Sequence, residues 1–150
     1  EFRRVLSDLT LQQSHYSEPH VWNPDAPAVK KMMRTPNTYG YFTATYTPIK
    51  PLSIALSGTY TGSMLVPHEP VPGFLENPIT VNTKDFFDIG LKAAYDFKLY
   101  KSMNLQVNAG IQNIFNAYQN DFDKGADRDS GYIYGPSLPR SFFAGVKISY

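Results

Sequence analysis

The sequence predicts an all-β fold of about six antiparallel, up-and-down strands. Three observations lead to this prediction. Apolar and polar residues alternate with a period of two in several segments, so that each kind lies on its own face of a strand. No segment repeats its apolar residues with the helical period. The connections between the alternating segments are long and short in turn.

The first three predicted strands each combine an apolar face with a polar one. In residues 5–16, leucines alternate with threonine, glutamine and serine. In residues 39–47, phenylalanine, alanine and tyrosine alternate with tyrosine and threonine. Residues 52–65 alternate most regularly, because leucine, isoleucine and tyrosine are separated by serine, alanine and threonine. Such patterns are typical of strands with one covered face.

The last three predicted strands follow the same period. Residues 85–97 alternate aromatic and aliphatic residues with aspartate, glycine and lysine, and residues 103–115 alternate aliphatic residues with asparagine and glutamine. Residues 141–150 alternate strictly and end the chain on an aromatic residue of their own apolar face. That face consists of Phe142, Ala144, Val146, Ile148 and Tyr150.

The lengths of the connections indicate a membrane barrel and its orientation. Residues 17–38, 66–84 and 116–140 form long connections, whereas residues 48–51 and 98–102 form short ones. Soluble meanders usually have short turns at both ends, whereas outer-membrane barrels have short periplasmic turns and long extracellular loops. We therefore expect transmembrane strands, with the long connections outside the cell and the last residue at the periplasmic side.

Composition agrees with strands that cross a membrane. The chain has 150 residues and no apolar run near the ~20 residues that a spanning helix needs, but a barrel strand turns only every second residue to lipid. Aromatic residues make up 15% of the chain, which suits membrane interfaces and, as the alternative explanation, strands in general. A net charge of +1 without a basic cluster predicts no nucleic-acid partner. The lack of cysteine excludes a disulfide scaffold and a thiolate metal site.

Six strands are fewer than the roughly 8 of the smallest bacterial single-chain barrels. An open sheet edge in lipid would leave backbone groups unpaired, at a cost of several kcal/mol each. The first residues show neither an initiator methionine nor a signal peptide. We therefore expect residues 1–150 to be the carboxy-terminal segment of a longer barrel chain, with the earlier strands upstream.

Two segments near the carboxy terminus resemble a known family. The run LQVNAGIQNIFNAYQ, residues 105–119, resembles the penultimate strand of TonB-dependent outer-membrane receptors. Residues 128–150 are similar to the closing motif of that family, and the run YGPSLPR looks most like receptors from the Bacteroidetes. The resemblance is strong in the carboxy-terminal third and weaker in residues 1–81. The residues that carry it are Asn113, Phe115, Asn116, Tyr118, Gly135, Pro139 and Arg140.

The resemblance implies a function in the outer membrane of a Gram-negative bacterium. The family forms barrels of about 22 strands with an amino-terminal plug, and takes up scarce small ligands such as siderophores, haem, cobalamin or glycans. The implied partners are the TonB system acting through a plug, the barrel-assembly machinery reading the terminal strand, the small ligand and outer-membrane lipid. Neither a plug nor a TonB box occurs in these residues. No cofactor and no enzymatic activity are implied.

Seven side chains are candidates for ligand contact. Some are polar residues on the face of the predicted strands that would line a barrel interior, where they could instead pair with a plug or with other wall strands. The others are aromatic residues in the long connections, where binding residues concentrate. The candidates are Trp22, Asp88, Lys92, Asn108, Gln112, Tyr132 and Tyr134.

Metal binding and catalysis find no support in the sequence. Residues 121–131 are acidic, but an EF-hand beginning at Asp121 would place Gly125 at position 5 and Ala126 at position 6, so we expect a solvated loop. The segment around Ser137 lacks the second glycine of a nucleophile elbow. The three histidines have no ligand spacing and are expected at the surface: His15, His20 and His68.

Two alternatives to active uptake stay open at this point. A passive outer-membrane pore or an adhesin could use the same wall, and an upstream plug preceded by a TonB box would distinguish uptake from both. A soluble β-barrel that binds a ligand is the other alternative, and solubility of the segment without detergent would favour it. A hydrolase is less compatible, because no nucleophile and base occur together.

Overall fold

The computed structural model describes residues 2–100 and 102–150, which form an antiparallel all-β structure and confirm the predicted fold class. No helix in this part of the chain is long and apolar enough to cross a membrane. The strands are β1 (Phe2–Leu11), β2 (His15–His20), β3 (Val29–Lys31), β4 (Thr38–Ile49), β5 (Leu52–Thr61), β6 (Leu65–His68), β7 (Ile79–Asn82), β8 (Phe86–Lys98), β9 (Asn104–Gln112) and β10 (Ser141–Ser149).

Six of these strands form one sheet in the order β1-β4-β5-β8-β9-β10. Each strand pairs antiparallel with the next in this order, so the sheet is an up-and-down meander, as predicted. Over the described residues the sheet is open, because β1 and β10 form its two edges and do not pair with each other.

Short and long connections alternate along the sheet, as the sequence predicts. The connections from β4 to β5 and from β8 to β9 are short, and they lie at what we call the turn end of the sheet. The three long connections gather at the opposite end, called here the loop end. They are long loop 1 (residues 12–37), long loop 2 (residues 62–85) and long loop 3 (residues 113–140).

Three predicted strands extend several residues beyond the observed ones. The strand predicted over 103–115 ends at Gln112, where long loop 3 begins. The strand predicted over 5–16 ends at Leu11; the backbone N–H of Gln12 still donates to the Asn37 carbonyl, and His15 begins β2. The strand predicted over 52–65 ends at Thr61, and Leu65 begins β6. Long loops 1 and 2 therefore contain small hairpins of their own, β2–β3 and β6–β7, which the sequence did not reveal.

The register of the sheet brings the apolar residues of all six strands to one face, called here the apolar face. A one-residue shift of any strand would move its apolar residues to the other side, so the common face reflects consistent pairing throughout. Most of the large side chains on this face are exposed. Two rows of directly opposed residues show its continuity: Val5–Ala44–Leu56–Leu91–Ile111–Phe142 and Tyr46–Ile54–Ala93–Ala109–Ala144.

The opposite face is mostly polar and is called here the polar face. It carries hydroxyl, amide and charged side chains along β5, β8 and β9, including Asp88, Lys92 and Asn108. At the loop end, long loop 3 folds over this face, and the ring of Phe86 fills the space beside Gly135 that a Cβ atom would need. The small apolar core of the described residues lies at the loop end.

Candidate functional site

The three long loops join into one structure at the loop end of the sheet, called here the loop layer. Its small apolar core contains Met64 and Val66 of long loop 2 and Tyr132 of long loop 3. Arg34 of long loop 1 reaches across, and its guanidinium donates to the carbonyls of Gly131 at 2.5 Å and Ile133 at 3.1 Å. The loop layer is therefore built from segments distant in sequence.

Long loops 2 and 3 are joined by a stacked and hydrogen-bonded pair of groups. The ring of His68 stacks on Tyr132, and its Nε2 lies 2.8 Å from Oδ2 of Asp123. The side chains of His68 and Asp123 are both buried, and that of Asp123 is only 3% exposed. The same Asp123 oxygen accepts the backbone N–H of Asp129, whose carboxylate accepts the backbone N–H groups of Glu69 and Gly131.

This arrangement corrects two expectations from the sequence. The acidic stretch 121–131 is not simply a solvated loop, because two of its carboxylates organise the surrounding backbone. His68 is not a surface histidine, since it is only 5% exposed. The reason is the same in both cases: β6 places His68 directly against long loop 3. Within the described residues, no group of three or more potential ligands could hold a metal ion.

Asp121 is shared by two tyrosines. The hydroxyl of Tyr134 donates to both carboxylate oxygens at 2.6 and 2.7 Å, and that of Tyr132 donates to Oδ2 at 3.1 Å. Partial burial acts to raise the pKa of Asp121, but the hydrogen bonds from Tyr134 and Tyr132 outweigh it and lower the pKa. Burial and then the bond to Asp121 raise the pKa of Tyr132 to about 12, and the same causes raise that of Tyr134.

Gln119 holds the backbone beneath these tyrosines and is almost completely buried. Its Nε2 donates to the Tyr132 carbonyl at 3.0 Å, and its Oε1 accepts the backbone N–H of Tyr134 at 2.9 Å. The backbone N–H of Gln119 donates in turn to the Pro136 carbonyl. Nothing in the local sequence distinguishes Gln119, because its partners lie more than ten residues away.

The residues that carry the family resemblance surround the start of long loop 3. Asn113 adopts a positive φ of 51°, and its buried side chain bonds to both backbone groups of Ala117 and to the Leu138 carbonyl. Asn116 also has a positive φ, and its Oδ1 accepts the backbone N–H of Arg140. The Nε of Arg140 donates to the Ile114 carbonyl. These contacts tie the two ends of long loop 3 together.

Other motif residues lie at the edge of this arrangement. Phe115 is exposed and its ring stacks loosely on Phe87, while Tyr118 is partly exposed. The carbonyl of Pro139 accepts the hydroxyl of Ser141 at the start of β10. The motif therefore has a structural role in this chain, namely to shape the connection between β9 and β10.

A pocket of about 350 Å³ lies on the polar face, between the sheet and long loop 3. The sheet contributes Asp88 opposite Thr59 and Gln112 opposite Ser141, and the loop covers them with residues 136–139. This is called here the Asp88 pocket. Ser137 lies on its exposed rim, and the pocket lining contains no histidine.

A second, more apolar groove of about 410 Å³ separates long loops 2 and 3. One wall is the tight turn around Gly73, with the exposed ring of Phe74, and the other is formed by residues 121–124. Asp121 contributes to this wall, although its oxygens already accept the two tyrosine hydroxyls.

The seven residues predicted to contact a ligand do not form one site. Tyr132 and Tyr134 meet at Asp121, and Asp88 and Gln112 share the Asp88 pocket. Their role in binding a ligand stays a prediction. The others lie apart: Lys92 is exposed farther along the polar face, Asn108 donates to the Gly145 carbonyl, and the buried Nε1 of Trp22 has no partner in the described part of the chain.

Comparison with known proteins leaves the family open. No family model, no curated protein and no solved structure matches this chain. Function is therefore inferred from the residues and their geometry.

Proposed function

We propose that this chain forms the carboxy-terminal part of the barrel wall of a TonB-dependent outer-membrane receptor, which takes up a small, scarce ligand. The observation that carries the proposal is the apolar face of the six-stranded sheet. It is continuous from β1 to β10, and its large side chains are mostly exposed.

An exposed apolar surface of this extent is unusual for a protein in water. Soluble monomers rarely expose a contiguous apolar patch larger than a few hundred Å². In a barrel wall the same pattern is required, because strands alternate between residues that face lipid and residues that face the interior. The polar face, with Asp88, Lys92 and Asp96 along β8, would then face the interior.

The arrangement of the connections supports the same proposal. Short turns at one end and long loops at the other are typical of outer-membrane barrels. The long loops fold into a layer with its own core and hydrogen bonds, and binding residues concentrate on loops held by a rigid scaffold. This layer would face the outside of the cell and contribute to ligand recognition.

The two edge strands of the sheet need further strands to pair with. In lipid, the outer edges of β1 and β10 need hydrogen-bonding neighbours, and further strands of the same wall would supply them. The resemblance noted above adds the barrel-assembly machinery, which would read the strand of Phe142 to Tyr150, and the TonB system, which would act through a plug.

Two neighbouring residues on opposite faces provide the test. Val107 is exposed on the apolar face, and Gln106 beside it points to the polar face, where its Nε2 donates to Asp96. In the protein as its own cell makes it, Val107→Arg should cost about 2–4 kcal/mol if the position faces lipid, and should strongly reduce recovery from the outer-membrane fraction. Gln106→Arg is the matched control and should be tolerated, because an arginine can still bond to Asp96.

Equal recovery of the two variants would contradict the placement in a membrane, since both positions tolerate charge in water. Recovery of the protein without detergent would lead to the same conclusion. Active uptake is tested separately: loss of uptake in cells that lack TonB supports a receptor, whereas unchanged permeability in such cells identifies a passive pore.

A further inference from the structure

We infer that the Asp88 pocket binds a small organic cation that carries a guanidinium or alkylammonium group. The pocket is built by the sheet and long loop 3 alone, so this inference goes beyond the proposed function and does not depend on the membrane. Seven polar side chains line it: Ser57, Thr59, Asp88, Gln112, Asn113, Ser137 and Ser141.

The carboxylate of Asp88 is the only charged group in the pocket lining. Asp88 is half-buried, and within the described residues it makes neither an ion pair nor a side-chain hydrogen bond. A partly buried carboxylate without a partner is costly, and a cation with its own N–H donors would remove that cost. Charge-assisted hydrogen bonds of this kind are about twice as strong as neutral ones.

Three other polar groups of the pocket are also available for bonding. The amide of Gln112 and the hydroxyls of Ser57 and Thr59 have no hydrogen-bond partner among the described side chains and backbone groups. Each of them can accept an N–H bond. Gly90 adds no side chain to the floor, which leaves room above Ser57.

The lining favours an organic cation over a metal ion. Calcium takes six to eight oxygen ligands and usually several carboxylates, whereas this pocket offers one. No lysine or arginine lines it, and the nearby Arg140 directs its Nε to the Ile114 carbonyl. A guanidinium or ammonium group, which bonds to several neutral acceptors and one carboxylate, fits this set of groups.

The cover of the pocket is held in place without a ligand. Asn113 donates to the Leu138 carbonyl at 2.9 Å, and the backbone N–H of Gln119 donates to the Pro136 carbonyl. Both bonds hold residues 136–139 above the sheet. A pocket held in this way keeps the cost of ordering on binding small.

The test uses n-butylguanidinium as probe and N-butylurea as its neutral counterpart of the same shape. Binding is measured by NMR titration of the whole protein as its own cell makes it, purified in detergent micelles. We expect the guanidinium to bind and the urea to bind at least about tenfold more weakly, since the charge-assisted bond to Asp88 is lost. Asp88→Asn should weaken guanidinium binding to a similar degree.

Asp96→Asn is the matched control, because it removes the same charge from the same face of β8 outside the pocket. It should change binding by less than about twofold, since separated charges are screened by salt. Ser137→Tyr fills the pocket from its exposed rim without altering the sheet and should abolish binding, which provides a second variant if Asp88→Asn fails to fold.

The inference is overturned if the urea binds as well as the guanidinium, or if Asp88→Asn and Asp96→Asn weaken binding equally. Unchanged binding in Ser137→Tyr would also overturn it, because the probe would then occupy another part of the protein. None of these outcomes depends on how Val107→Arg behaves, so the two proposals can fail separately.

Discussion

The ring of His68 lies flat on the ring of Tyr132, with centroids 3.8 Å apart and planes inclined by 6°. These residues belong to different long loops, and the bond from His68 to Asp123 fixes the imidazole at its edge. Because Tyr132 also belongs to the small apolar core, the stack connects long loop 2 and long loop 3 through that core. The stability of the loop layer therefore depends on this pair.

Truncating Tyr132 should open the loop layer. Tyr132→Ala removes the stack, a core ring and the bond to Asp121, and should cost roughly 3–5 kcal/mol, as do other large-to-small changes at buried aromatic residues. Hydrogen exchange at the backbone amides of Gln119 and Tyr134 measures this loss. Ile133→Ala, at an exposed neighbouring position, is the control, and equal exchange in both variants would contradict the role of the stack.

The pH dependence of the loop layer follows from Asp121 and its two tyrosines. The lowered pKa of Asp121 stabilises the folded loops above its ordinary value of 3.8, and this contribution is lost as the pH falls through the lowered pKa. The raised pKa of Tyr132 stabilises them below the ordinary 10.0, and this contribution is lost as the pH rises through about 12. We expect maximal loop stability between these ordinary values.

Replacing Asp121 by asparagine checks this assignment. In Asp121→Asn the tyrosine hydroxyls lose a charged acceptor, so the pKa of Tyr132 should fall toward its ordinary value. Absorbance titration of tyrosinate measures the shift, with Tyr132→Phe as the reference that identifies the Tyr132 signal. An unchanged titration of Tyr132 would show that burial alone causes the raised pKa.

Asn113 should stabilise the fold both through its side-chain hydrogen bonds and through its tolerance of a positive φ. Asn113→Ala loses the three side-chain bonds and places alanine at a positive φ, and we expect a loss of about 2–4 kcal/mol from these two terms together. Asn113→Gly should lose less, because glycine accepts the positive φ. Thermal unfolding measures both. Asn120→Ala, at an exposed position, is the control and should be neutral.

The apolar face contains a close approach between Phe42 and Gly58. The ring of Phe42 lies over its opposed residue Gly58, where a Cβ atom would overlap the ring. Gly58→Ala should therefore destabilise the sheet by about 1–3 kcal/mol, and adding Phe42→Leu should recover part of the loss. Gly145→Ala, where the new atom meets only the movable Asn108 side chain, should cost less. A reversed order in thermal unfolding would contradict this reason.

The last residue tests the proposed role of the terminal strand in assembly. Tyr150 is fully exposed beyond the end of β10, and by the family resemblance it would be part of the assembly signal. Tyr150→Asp should lower insertion into the outer membrane, measured as the inserted fraction of newly made protein. Ser149→Asp introduces the same charge one residue earlier and should have a smaller effect. Unchanged insertion of Tyr150→Asp would contradict the assembly role.

The strands of the sheet could be predicted because their information is local. Residues two apart share a face, so 85–97 and 141–150 show their nature without reference to the rest of the chain. The hairpins within the long loops escaped prediction for the opposite reason. β2 (HYSEPH) and β6 (LVPH) are short and do not alternate, so only their pairing with distant residues defines them.

The loop layer and the Asp88 pocket were only partly predictable. Tyr132, Tyr134, Asp88 and Gln112 stand out by type and position, but nothing local predicts which of them meet. His68 and Asp123 are 55 residues apart in sequence, and no period or motif connects them. Contacts of this range form only in the folded chain, where the sheet holds the ends of the long loops together.

All six strands of the sheet turn their apolar residues to the same face, and this has a consequence for how the protein can evolve. A single-residue insertion or deletion within a strand would turn the apolar residues beyond it to the polar side. The short connections from β4 to β5 and from β8 to β9 leave little slack to absorb such a change. Length variation among natural variants should therefore be concentrated in the long loops, while strands should gain or lose residues in pairs.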